Sequence, residues 1–156
     1  MRVVLVSREY PPAARGGGIG TNTEITARAL TARGHEVHVL TRGEGGVRTD
    51  DGVTIHALRH RWAPWSAAER LIALRGIAAA ARRLHPDVVH AAEWDGEAWW
   101  IARWSRMPVV TRLATPTFVL EELNEGAPNP DTAFVRRLER EQAQHSTAVY
   151  GPTRAI

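Results

Sequence analysis

Arg2-Val3-Val4-Leu5-Val6-Ser7, then Gly16-Gly17-Gly18-Ile19-Gly20-Thr21, then Val37-His38-Val39-Leu40 are the segments on which the fold turns. The first is a valine-rich run with no polar alternation, the mark of a strand buried on both faces. The second closes a loop that begins at Glu9 and holds Pro11-Pro12. A helix follows, with Thr21 or Asn22 as its expected cap and Glu24 at capping-box distance from Thr21. Ile25, Ala29 and Leu30 form its expected apolar stripe, and Gly34 its stop. The third segment is a second strand. A strand–helix–strand unit thus occupies the first 41 residues.

Working outward, residues 43–52 hold four glycines and two aspartates and read as a turn-rich connection. Val53–Leu58 alternates as a third strand. A helix from Ala67 to Leu84 carries Leu71, Leu74, Ala78 and Ala81 at helical spacing, and Pro86 stops it. Asp87–His90 is a fourth strand, Asp95–Arg106 a helix, Pro108–Leu113 a fifth strand, residues 131–144 a charged helix and Thr147–Tyr150 a last short strand. Alternation of this kind predicts an α/β fold, a Rossmann-like doubly wound parallel sheet. The expected division is a domain over residues 1–146, with 147–156 as its last strand and the start of a linker.

The chain has 156 residues, enough for one domain with its own core, and no cysteine, which excludes disulfides and thiolate metal sites. Its start is too short and too quickly interrupted for a signal peptide, and no apolar run nears the ~20 residues of a membrane-spanning helix. The expectation is a cytoplasmic protein. All 20 basic residues are arginine. Residues 1–83 carry a net charge of +6 and residues 84–156 one of −3. The arginines are scattered singly, so a solvated surface is expected rather than a nucleic-acid partner.

Glycines at the end of a first strand, opening a helix, let backbone N–H groups approach an anion, and the helix terminus adds partial positive charge. The anion is not that of a dinucleotide fingerprint. The glycines come about nine residues late, and Thr41-Arg42-Gly43 supplies no acidic ribose partner after the second strand. No Gly-Lys-Ser/Thr is present, which excludes a P-loop.

Val6-Ser7-Arg8-Glu9-Tyr10-Pro11-Pro12, Gly17-Gly18-Ile19-Gly20-Thr21 and Arg33-Gly34-His35-Glu36-Val37, in this order, closely resemble the opening of the family 4, glycogen-synthase-like glycosyltransferases. Pro86–Trp94 is similar to that family's D-V-V-H-x-H-D-W, and Val109–Pro116 to its strand ending in H-T-P. The segment Val149–Ile156 resembles the approach to a second domain.

The resemblance implies the N-terminal half of a GT-B fold, with a C-terminal nucleotide-sugar-binding domain beyond the chain. It implies retaining transfer of a sugar from a UDP- or GDP-linked donor to an acceptor hydroxyl, with no further cofactor and no metal. Arg15, Gly16, Gly17, Gly18, Ile19, Gly20 and Thr21 would then form a loop for donor phosphate or acceptor. Glu93, Ala114 and Thr115 would face the sugar, with Glu93 the candidate for a catalytic role. The sequence departs from the family where its histidine before Thr-Pro is Ala114 and its His-Asp pair is Ala92-Glu93. The alternative is an isolated, non-catalytic domain that binds an acceptor or a partner.

Glu36 and Glu44 match the spacing of the family's Glu-x7-Glu motif but bracket a strand of the wrong domain. His56 and His60 stand four apart without a third ligand. Trp62, Trp65, Trp99 and Trp100 suit either sugar stacking or the core, with the core favoured. Arg70, Arg75, Arg82 and Arg83 suit either anionic lipid or a solvated helix face, with solvent favoured.

Overall fold

The computed structural model describes residues 1–12, 17–59, 66–117, 119 and 130–151. Among the described residues seven strands form one sheet: β1 Arg2–Val6, β2 Glu36–Arg42, β3 Gly46–Asp50, β4 Val53–Leu58, β5 Val88–Ala92, β6 Val109–Arg112 and β7 Ala148–Tyr150. Their order is β3-β4-β2-β1-β5-β6-β7. All neighbours pair in parallel except β3 and β4. The expected Rossmann-like α/β fold is therefore present. Among the described residues the helices are α1 Gly18–Ala32, α2 Ala67–Arg83, α3 Trp99–Trp104 and α4 Pro130–His145, with a 3-10 turn at Trp94–Gly96.

Alternation along the central strands supplies two cores. Val3, Leu5, Val37, Val39, Val53 and Ile55 pack against Ala27 of α1. Val4, Val6, Leu40, Val89, Ala91 and Val109 pack against α2, α3 and α4, chiefly Leu74, Ile77, Ile101 and Leu138. Each fully buried aliphatic side chain contributes about 1.5–3 kcal/mol. Both faces are dry, which explains the unalternating valine runs.

Four local expectations need correction. Helix α1 begins at Gly18, with Gly17 as its N-cap and no side-chain cap bond, so Thr21 and Asn22 lie inside it. Its buried residues are Gly20, Thr23 and Ala27, while Ile25 is exposed; close approach to the sheet favours the small stripe over the large one. Residues 46–50 form an edge strand rather than only a connection. Asp51 and Gly52 both have positive φ and make a two-residue hairpin turn to β4, as Asp-Gly favours. The single helix expected over 95–106 is divided, because Asp95 at φ 58° interrupts it.

Helix α4 is fastened to the sheet by Gln142, which is fully buried. Its Oε1 accepts from Ala98 N at 2.9 Å, and its Nε2 donates to Ala92 O at 2.9 Å and Thr111 Oγ1 at 3.1 Å. Gln142→Leu leaves the Ala98 amide and the Ala92 carbonyl buried without this partner. We expect a loss of about 3 kcal/mol in urea-unfolding free energy; a loss below about 1 kcal/mol would show that Gln142 is not the fastening.

Candidate functional site

In a parallel sheet every crossover helix begins at the C-terminal edge, and ligands of such sheets sit there, where the chain leaves adjacent strands in opposite directions. Here that point lies between β1, which leads through α1 to β2, and β5, which leads on to β6.

The glycine turn is at this edge. A Cβ built on Gly17 or Gly18 meets no atom within 4 Å. One on Gly20 falls 3.1 Å from both Cβ and carbonyl O of Glu9. Gly20 is thus required for packing against the loop after β1, whereas Gly17 and Gly18 present open backbone. Positive φ is not the reason for these three glycines. Thr21 donates its amide to Gly17 O at 3.5 Å, and the neighbouring Thr23 ties its hydroxyl to Ile19 O at 2.9 Å. Arg15 and Gly16 lie outside the described residues.

Beside the turn is a charged cluster that the sequence did not disclose. Asp95 receives Arg8 Nη1 on one carboxylate oxygen and Arg70 Nη1, at 3.1 Å, on the other. Arg70 also reaches Asp131 at 3.5 Å. It is 8% exposed, so it does not belong to a lipid-facing set; Arg75, Arg82 and Arg83 are exposed. Arg8 lies 5.5 Å from the centre of the Trp94 ring and donates its amide to Glu97 Oε1 at 3.2 Å. The Asp95 amide donates to Glu139 Oε1 at 3.1 Å. Glu139 also receives the Thr117 hydroxyl at 2.7 Å and the Thr117 amide at 2.9 Å.

Glu93 is 1% exposed and its Oε2 accepts from Ala114 N at 2.6 Å. The two residues read as sugar-facing are therefore brought together, with Thr115 next in the same half-buried segment. Burial pushes the Glu93 carboxyl up, against the pull of the Ala114 amide. They connect to the glycine turn only through intermediaries: Glu139, which acts electrostatically on Glu93, then Asp95, Arg8 and the adjoining Glu9, against which Gly20 packs. Glu93 also lines a cavity of about 590 Å³ between the end of β6 and α4.

The remaining candidates fall elsewhere. Glu36 is at the N-terminal edge, paired with Arg2 at 2.9 Å and His38 at 3.0 Å. His56 contacts His38, Nε2 to Nδ1, at 3.0 Å; His60, Trp62 and Trp65 lie outside the described residues. Trp99 donates Nε1 to Glu141 at 2.9 Å and meets Trp100 edge-on, both packed against the core. Among the described residues no helix is long and apolar enough to cross a membrane.

Glu97 is enclosed, and burial pushes its carboxyl up to about 8; Arg8 opposes this and Asp95 adds to it. In the unfolded chain the group returns to about 4.5. The folded state therefore holds the proton more tightly, and stability falls as pH rises from about 4.5 to about 8. Glu93 and Glu139 shift in the same direction through burial, so part of the slope belongs to them. We expect the urea midpoint to drop from pH 5 to pH 8.5, and Glu97→Gln to flatten the drop; an unchanged slope in that variant would remove Glu97 as its source.

Over 95% of its length the chain superposes on a sucrose-phosphate synthase from Thermosynechococcus elongatus, with a TM-score of 0.71 and 14% identity. It spans 41% of that protein. A second sucrose-phosphate synthase structure from the same organism matches over 97% of this chain and 87% of its own, with a TM-score of 0.57 and 14% identity. At such identity these likenesses establish the fold alone. No curated protein matches in sequence. The model of Glycosyltransferase Family 4 matches residues 16–156, a span running from the glycine turn through β7, and the chain belongs to that family.

Proposed function

We propose that the chain is the N-terminal, acceptor-side domain of a two-domain retaining glycosyltransferase. It would move a sugar from a UDP- or GDP-linked donor to an acceptor hydroxyl. The observation that carries this reading is the open backbone of Gly17 and Gly18 at the start of α1. A helix N-terminus without side chains over it suits a diphosphate. As the sugar–oxygen bond breaks, negative charge builds on the leaving diphosphate, and fixed N–H dipoles stabilise it without reorganising. Closure by a second domain would exclude water and favour transfer over hydrolysis. On this reading residues 1–156 alone turn nothing over. The non-catalytic alternative draws on Ala114, whose methyl group supplies no donor where the family has histidine, and on Glu93, one of whose oxygens is occupied by the Ala114 amide.

Transfer by the full-length enzyme, assayed with UDP- and GDP-sugars and the product anomer read by NMR, tests donor and stereochemistry together. Inversion, or no transfer from any nucleotide sugar, would overturn the proposal. Gly18→Val separates the loop's chemistry from its packing. Its new side chain enters open space, so Tm should hold while kcat/KM falls by about 10²-fold. Gly20→Val should instead lower Tm, because it meets Glu9. A folded Gly18→Val enzyme with unchanged kinetics would take the turn out of the mechanism.

A further inference from the structure

The edge strand β3 adds no side chain to either core among the described residues, and its Val47 is 66% exposed. The positions on the opposite face of the strand carry charge. Arg48 and Asp50 stand across from Ile55 and Val53, on the side of the sheet that α1 covers. From there Arg48 Nη2 donates to Pro11 O at 2.7 Å, in the loop after β1. Asp50 lies 3.7 Å from Arg48 Nη1 and 3.7 Å from Arg28 Nη2 of α1. Arg28 also pairs with Asp51 of the hairpin turn and, at 3.1 and 3.2 Å, with Glu24 one turn earlier on α1. Beneath this cluster lies Tyr10, 2% exposed. Burial raises its pKa; Glu24 and Asp50 add to the rise, and Arg28 and Arg48 oppose it. All four charged groups thus act on one phenol.

The hairpin holds both flanks of the glycine turn. Arg48 takes Pro11 on the β1 side, while Asp50 and Asp51 take Arg28 of α1, whose first residue is Gly18. The loop between them is further tied by Ser7 Oγ, which donates to Glu9 O at 2.8 Å, and by the packing of Gly20 on Glu9. Ion pairs as exposed as these contribute little to stability, so the consequence of the clasp is where it puts the loop. We propose that Arg48 is a positioning residue: by fixing the Pro11 carbonyl against β3 it sets the loop after β1 relative to the start of α1, and with it the open backbone of Gly17 and Gly18. A guanidinium suits the task, because one nitrogen serves the carbonyl while the other faces Asp50. That this placement serves sugar transfer rests on the function proposed above; that Arg48 sets it does not. On that function the turn meets charge that builds only as the sugar–oxygen bond breaks, so a misplaced turn lowers kcat more than it raises KM.

The test has two arms. In the isotope-labelled 156-residue chain, Arg48→Ala should move the NMR signals of the Gly17, Gly18 and Thr21 amides and leave those of β5 and β6 in place. Its Tm should fall by less than about 3 °C, since an exposed pair is lost and no core contact. Arg48→Lys keeps a donor for Pro11 and should return those signals part of the way. In the full-length enzyme, with the UDP- or GDP-sugar it transfers, Arg48→Ala should lower kcat at least about tenfold and leave KM for the donor within about twofold. Arg48→Lys should recover most of that loss. Val47→Thr, on the other face of the same strand, should match the parent in both arms. Unmoved Gly17 and Gly18 amides, parental kcat in a folded Arg48→Ala enzyme, or Arg48→Lys behaving like Arg48→Ala would each overturn the proposal. If the full-length protein transfers no sugar, the proposed function falls, and the amide signals alone decide whether Arg48 sets the turn.

Discussion

Asp95 holds the working edge of this domain together. Its carboxylate lies between Arg8, at the end of β1, and Arg70, in the first turn of α2. Its amide goes to Glu139 of α4. Four parts of the chain, far apart in sequence, meet on this residue. The arrangement needs Asp95 at φ 58° and Gly96 at φ 65°. That left-handed step turns the chain after β5 so the carboxylate meets both guanidinium groups. A Cβ on Gly96 would fall 2.7 Å from that of Leu138, so the step is also tightly packed beneath. Pairing two arginines with one half-buried carboxylate, and one of them also with Asp131, offsets the desolvation that the buried Arg70 would suffer alone.

The same edge shows two ways of holding a polar group away from bulk water. Around Asp95, opposite charges pair and every partner is protein. At Glu93 the balance is incomplete: one oxygen accepts the Ala114 amide and the other is buried with no hydrogen-bond partner of ordinary geometry among the described residues. At the glycine turn, among the described residues, a Cβ on Gly17 or Gly18 would meet nothing within 4 Å, so the start of α1 is open backbone. A rigid pivot, an accessible anion-compatible terminus and a partly satisfied carboxylate lie within one connected chain of contacts. Gln142 ties α4 to the ends of β5 and β6 through Ala92 and Thr111.

Much of this was legible in one dimension. The valine runs require strands buried on both faces, because no polar alternation offers a wet side. Glycines directly preceding a helical pattern mark an open helix start. Together these gave the parallel α/β sheet and the turn at its C-terminal edge, and the motif order gave the family. The turn at Asp51-Gly52 was also written in the chain, but Gly43, Gly45 and Gly46 masked the short edge strand it serves.

What the sequence by itself determined, then, is whatever depends on neighbours along the chain: strand and helix alternation, the glycine turn, the stop at Gly34. Tertiary structure alone decided which charges meet. Arg8 and Asp95 are separated by 87 residues, and Asp95 and Glu139 by 44. Nothing in local spacing distinguishes Arg70, buried and doubly paired, from Arg75, left in solvent, except which side of α2 faces the sheet edge. It likewise took the folded chain to show that Gly20 is needed for its contact with Glu9 and Gly18 is not, since both read alike as small residues. Backbone preferences act over a few residues, whereas pairing and burial of charge depend on where the sheet carries distant segments.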